Sequence, residues 1–142
     1  MLAYFDTSAI VKLLLDEPGS RHAQSAWDEA DSRAASVALL AEARAALAAA
    51  RRSSRIDATA HSVAVADLAA LWEELDGIVL TENLAARAGE LADELLLRGY
   101  DAIHLASAEA ILDEGSVMVV SDVRLAEAAA TIGLEALVPV ES

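Results

Sequence analysis

Cysteine is absent from the 142-residue chain, which removes disulfides, thiolate nucleophiles and thiolate zinc sites together and fits a reducing, cytoplasmic setting. Aromatic residues make up only 4%, so a core has to be built mainly from Ala, Leu, Val and Ile, which suits helices packed closely against a sheet. No apolar run approaches the roughly 20 residues needed to span a bilayer, because charges interrupt every hydrophobic stretch. The amino terminus, MLAYFDTSAIVKLLLDEPG, lacks a basic leading region and a small-residue cleavage site, and so reads as a strand and helix rather than a secretory signal. Basic residues are scarce as well. Ten of them stand against 24 acidic ones, and the net charge of -14 argues against a protein that coats phosphates along a nucleic acid. What the chain has in quantity is hydrophobic residues, 56% of the total, enough for one core and a single domain over residues 1–142.

Turn signals divide this material into short apolar segments and longer helical ones. Leu2 to Phe5 predicts a strand that stops at Asp6-Thr7-Ser8, followed by a helix from Ser8 to Leu15 that Pro18 and Gly19 end. A second helix is expected over Ser20 to Ala30, a strand near Ala34 to Val37, and a long Ala- and Leu-rich helix from Leu39 to Ser53. Asp57 caps a further stretch to Leu75, Gly77 to Leu80 resembles a buried strand, and Glu82 to Arg98 is helical up to Gly99. Asp101 opens a helix from Ala102 to Glu114. Val117 to Val120 is a mostly β-branched strand, Leu125 to Ile132 a last helix, and Leu137 to Val140 an edge strand because Pro139 suits no central one. Strands alternating with helices predict an α/β sandwich with a mainly parallel sheet, since parallel neighbours need helical crossovers.

In such sheets ligands bind beyond the carboxyl ends of the strands, which singles out four acids. Asp6 directly follows the first strand, where it serves equally well as a helix N-cap or as a ligand. Glu42 is the lone acid of its helix, with Ala38, Leu39, Ala45 and Ala46 as helical neighbours, so it needs an Arg, a hydrogen-bond network or a metal, or else it pairs at the surface. Asp101 and Asp122 each precede a helix and could simply cap it. Taken together, the four could line one edge of one sheet, where they would repel one another unless cations neutralised them. Oxygen-only ligation favours Mg²⁺ or Mn²⁺ over Zn²⁺, and the matching chemistry is metal-activated water attacking a phosphodiester. His22, His61 and His104 show no metal-ligand spacing, and His104 reads as a packing or hydrogen-bonding residue near the site. Trp27 and Trp72 read as core or interface residues. Arg44, Arg51 and Arg55 form a stripe at spacings of seven and four, either a solvated face or an RNA-contacting edge.

Tyr4-Phe5-Asp6-Thr7-Ser8-Ala9 with Val11-Lys12, Ser36 with Ala41-Glu42, Tyr100-Asp101-Ala102-Ile103-His104-Leu105-Ala106, and Ser121-Asp122 with Arg124-Leu125 follow one another along the whole chain. In that order and spacing they resemble the PIN domains and, among these, the VapC-type toxins. The resemblance implies a three-layer α/β/α sandwich and a metal-dependent endoribonuclease. It also implies that Asp6, Glu42, Asp101 and Asp122 hold Mg²⁺ or Mn²⁺, with Thr7 or Ser8 and Ser121 as polar support. Dimerisation, an RNA substrate and inhibition by a VapB-like antitoxin are implied with it. The likeness departs at one place: Val120 stands where the family often carries Thr or Ser, which leaves Asp122 either a direct or a water-mediated ligand.

Other acidic α/β proteins fit less well. A haloacid-dehalogenase-like phosphatase needs a second Asp where Ser8 stands, and a receiver domain needs an early acidic pair and a late Lys, whereas the only Lys is Lys12. A PIN-like RNA- or protein-binding module without appreciable nuclease activity is the alternative from another class.

Overall fold

The computed structural model describes residues 1–141. Strands β1 (Leu2–Phe5), β2 (Ser32–Ser36), β3 (Asp76–Ile78), β4 (Val117–Val119) and β5 (Ala136–Leu137) alternate with helices α1 (Thr7–Leu14), α2 (Ser20–Glu29), α3 (Leu39–Arg52), α4 (Ala58–Trp72), α5 (Glu82–Leu95), α6 (Gly99–Ile111) and α7 (Val123–Thr131). All neighbouring strands run parallel, in the order β3-β2-β1-β4-β5. The chain therefore builds outward from β1 in one direction through β2 and β3, then returns to place β4 and β5 on the other side. The gap between the carboxyl ends of β1 and β4 is the switch point at which parallel sheets leave a crevice.

Side chains alternate strictly between the two faces of the sheet, and each face has its own core. Ala3, Phe5, Ala35, Val117 and Val119 pack with Ile10 of α1, Trp27 of α2, Leu39 of α3 and Leu68 of α4. Tyr4, Ala34, Met118 and Val120 pack with Leu91 of α5, Leu105 of α6 and Leu125 of α7. The expected three-layer α/β/α sandwich is thus present. Trp27 is a core residue, its ring 5.2 Å from that of Phe5. Trp72 is half-buried and lies against Gly77, where a Cβ would stand 2.9 Å from the indole. Among the described residues no helix is long and apolar enough to cross a membrane.

Several boundaries differ from those predicted. β2 spans Ser32–Ser36 and β3 spans Asp76–Ile78, because register with a short neighbour limits pairing to Ala34–Asp76 through Ser36–Ile78. β5 is Ala136–Leu137 rather than Leu137 to Val140. Its partners are Met118 and Val119 alone, and Pro139 has no N–H with which to continue. The largest difference lies between α5 and α6. α5 stops at Leu95, Leu96 turns the chain at φ 55°, and Gly99, expected to end a helix, begins one. The Arg124 guanidinium donates to the Leu96 carbonyl oxygen at 3.4 Å across this turn.

A left-handed conformation costs an L-residue roughly 1–2 kcal/mol, part of which glycine's greater unfolded-state freedom would return. Leu96 is 78% exposed and so has little packing to lose. Leu96→Gly is expected to stabilise the protein by up to about 1 kcal/mol in urea denaturation. An unfolding midpoint below that of the wild type would show that the leucine side chain, rather than the turn, governs this segment.

Candidate active site

At the switch point the ends of β1 and β4 and the first turns of α3 and α6 surround an open cavity of about 340 Å³. Asp6, Glu42, Asp101 and Asp122 all line it, so the four acids separated along the sequence are brought to one place. Three remain partly accessible, and Asp6 is buried at 4% exposure.

Asp6 is held by three elements. Its backbone N–H donates to the Val119 carbonyl oxygen at 3.1 Å, which carries the β1–β4 ladder one residue past β1. Its Oδ1 caps α1 by accepting from the Ala9 N–H at 3.0 Å. The Ser8 hydroxyl donates to the same carboxylate at 2.7 Å and accepts from the Ser121 N–H at 3.0 Å, tying the ends of β1 and β4 together. The capping role expected for Asp6 is therefore present and leaves the carboxylate in the cavity wall. Burial raises its pKa from 3.8 to about 6, against the opposing effects of His104, the Ser8 hydroxyl and the Ala9 N–H, and Asp101 adds to the rise.

Glu42 lies in the first turn of α3, and its partner is neither an Arg nor open solvent. His104 Nε2 stands 2.7 Å from Glu42 Oε1, and the Thr7 hydroxyl donates to the same oxygen at 3.0 Å. A carboxylate only accepts, so Nε2 carries the proton and donates it in this contact. Behind the ring, the buried Tyr4 hydroxyl pairs with His104 Nδ1 at 2.8 Å. The expectation that His104 is a hydrogen-bonding residue beside the site agrees with this geometry. Sequence inspection missed Tyr4 as part of the chain, because an aromatic residue in a buried strand gives no sign of where its hydroxyl points. Tyr4→Phe keeps the ring and leaves Nδ1 without its partner, at an expected cost of about 1–3 kcal/mol. Equal denaturant midpoints for the variant and the wild type would show that the hydroxyl contributes nothing to holding the ring.

Asp101 is not the cap that its position suggested. The N-cap of α6 is Arg98, with no side-chain hydrogen bond in that role, and Asp101 is the third helical residue, where the helix dipole favours an acid. Asp122 does cap α7, its Oδ1 accepting from the N–H groups of Arg124 at 2.8 Å and Leu125 at 3.2 Å. Sequence inspection also missed Arg98, whose Nε donates to Asp101 Oδ2 at 3.0 Å and whose Nη2 lies 3.7 Å from Asp122 Oδ2. An Arg three residues before an acid, close enough to meet it once the chain turns helical between them, is the signal that could have found it. Lys12 lines the cavity as well, bonded to Glu17 Oε1 at 3.2 Å and to the Pro18 carbonyl oxygen at 2.7 Å.

The arginine stripe does not continue as a helical face. α3 ends at Arg52, and Arg55 lies beyond it, paired with Glu17 at 3.2 Å, while Arg44 and Arg51 face solvent.

The donor set suits a hard divalent cation. It is made of carboxylate oxygens, and the Ser121 hydroxyl oxygen in the cavity wall is buried without a hydrogen-bond partner. As the side chains stand, no three His, Asp or Glu residues among the described residues are grouped to hold one ion. Arg98 supplies the positive charge nearest the outer pair, Asp101 and Asp122.

Comparison with known proteins identifies the family. Ribonuclease VapC45 of Mycobacterium tuberculosis is 44% identical over 124 residues, which cover 87% of this chain and 86% of the relative. Among solved structures, PAE2754 from Pyrobaculum aerophilum superposes with a TM-score of 0.70 at 21% identity, covering 96% of this chain and 83% of that one. A toxin–antitoxin complex from Klebsiella pneumoniae gives 0.67 at 20% identity, covering 99% of both chains. These two structures share the fold. The PIN domain family model matches residues 3–131, from the second residue of β1 to the last residue of α7. With that match running through all four acids, the chain belongs to the PIN domain family.

Proposed function

We propose that this protein is a metal-dependent endoribonuclease of the VapC type, the toxin of a toxin–antitoxin pair, with Asp6, Glu42, Asp101 and Asp122 holding Mg²⁺ or Mn²⁺. The observation that carries the reading is that these four carboxylates, from four different segments, line one cavity at the switch point of the sheet. The 44% identical relative bears the name of a ribonuclease, and structural neighbours are described as toxin–antitoxin complexes, which supports an RNA substrate and a VapB-like antitoxin partner. A homodimer is part of the same proposal.

When bound, the cation would lower the pKa of a coordinated water and stabilise charge on the attacking and leaving oxygens of the phosphodiester. The chain's own residues prepare for this. Asp6 is fixed by its cap and by Ser8, so its carboxylate cannot turn away from the cavity. Glu42 is fixed by Thr7 and His104, and His104 in turn by Tyr4. Asp122 spends one oxygen on α7 and offers the other to the cavity. The acidic exterior is compatible with an RNA substrate, because cations and the few basic side chains near the mouth would meet the phosphates in place of a broad basic surface.

The test is cleavage of total RNA by purified protein, with and without Mn²⁺ and in excess EDTA. Cleavage should require the cation, vanish on chelation and return with Mg²⁺ or Mn²⁺. Undiminished cutting in EDTA would sink the mechanism. Metal uptake with no cutting would favour a binding module.

A further inference from the structure

We propose that Arg98 is the cleft's own counter-ion, bridging Asp101 and Asp122 until a divalent cation displaces it to a phosphate of the RNA. This deepens the proposed function and rests on reading the cleft as a cation site.

The geometry is specific about which oxygens are involved. Asp122 Oδ1 is committed to the N–H groups of α7, so Oδ2 is its remaining oxygen, and that is the one facing the Arg98 guanidinium. Asp101 meets the same guanidinium through its own Oδ2. Arg98 therefore faces the one oxygen that Asp122 has left for a cation and holds one of the two on Asp101, so a cation that draws on both of these oxygens meets the guanidinium there. A dication and a guanidinium cannot share them, since like charges at hydrogen-bond distance repel strongly wherever water is partly excluded.

Release of Arg98 is easy. Its side chain is 80% exposed, and its charged contacts among the described residues are these two acids alone. An exposed pair of this kind is held weakly. Arg98 is the residue immediately before α6, set there by the Leu96 turn, so a freed guanidinium stays tethered at the mouth. A planar fork of N–H donors that has just left two carboxylates is suited to a phosphate oxygen pair. Cation and RNA would then each favour the binding of the other, because the cation frees the group that grips the phosphate and linkage is reciprocal.

Arg98→Gln and Arg98→Lys test this beside the wild type, by calorimetric titration of Mn²⁺ into metal-free protein and by the salt dependence of kcat/KM on RNA. Arg98→Gln should bind Mn²⁺ alone about two- to fivefold more tightly, the range an exposed ion pair commands. The same variant should lose kcat/KM mainly through a higher KM, with a log–log salt slope flatter by about 0.7, as for one lost contact to a single strand. Arg98→Lys should keep the competition with Mn²⁺ and recover KM only in part, having charge without the fork. Equal or weaker Mn²⁺ binding by Arg98→Gln, or a loss confined to kcat, would overturn the role of Arg98 alone. Absence of Mn²⁺ uptake in all three proteins would overturn the reading of the cleft and this inference with it.

Discussion

Asp6→Asn should make the metal-free protein more stable near neutral pH, by about 1–3 kcal/mol, while abolishing RNA cleavage. The wild-type carboxyl is raised from 3.8 to about 6 chiefly by burial, so in the folded state it binds its proton more tightly than in the unfolded chain. Between those values the native state holds more protons, and stability falls as pH rises. Above about pH 6 the buried carboxylate is ionised in both states and the full penalty applies, about 3 kcal/mol for a displacement of this size. Asparagine removes the charge and keeps the capping oxygen for the Ala9 N–H, since Asn and Asp cap about equally well. The Ser8 hydroxyl, which now donates to the carboxylate, can accept from the new amide with its second lone pair, so part of the gain survives the exchange. The expected signature is a stability gap that is wide at neutral pH and closes as pH falls toward 4. Unfolding in EDTA across that range measures it. A gap independent of pH, or a variant less stable than wild type throughout, would show that burial of Asp6 carries no electrostatic cost. Added cation should erase the advantage, because a metal that neutralises Asp6 in the wild type finds one ligand fewer in the variant.

Asp101→Asn is expected to lose at least about 100-fold in kcat, the scale set by removing one charge-stabilising group from a preorganised site. Because Asp101 sits in the first turn of α6 and is not its cap, the substitution leaves helix termination untouched. The variant does give up the ion pair with Arg98 and the favourable charge at the start of α6, both of small value at a partly exposed position, and against these it relieves the repulsion among the four acids. Its metal-free melting temperature should therefore be unchanged or higher. The wild type should gain roughly 2.7 kcal/mol at a hundredfold excess of Mn²⁺ over its dissociation constant, and the variant distinctly less. Thermal melts with and without Mn²⁺, beside a cleavage assay, separate the outcomes. A variant that cuts RNA like wild type and gains the same stability from Mn²⁺ would remove Asp101 from the site.

The amino-acid order by itself determined the alternation of elements, because local physics writes that information along the chain. Leu2 to Phe5 and Val117 to Val120 are apolar and bounded by polar caps, and Pro18, Gly19 and Gly133 punctuate the helices. Parallel pairing followed from the helices between the strands, and the four acids stood out because Asp6 and Asp122 each come after a strand while Glu42 and Asp101 lie on helices that could line the same edge of the sheet. Boundaries fared worse wherever a partner decides them. β5 is as short as the end of β4 allows, and the α5–α6 break falls at Leu96, a residue with no intrinsic preference for the left-handed region. Of the two readings of the arginine stripe, the solvated face agrees with the structure, since Arg44, Arg51 and Arg55 are all exposed. Tertiary structure alone decided the partners. Glu42 had to be satisfied by something, but that it is His104, backed by Tyr4 from β1, depends on β1 lying beside β2 with α6 packed across them. Asp101 and Asp122 are 21 residues apart in sequence and share one guanidinium only because α6 and α7 begin at the same edge of the sheet. Propensities and caps act over a few residues and can be read one at a time. Charge pairing and desolvation act through space, between groups that only the closed fold brings within reach.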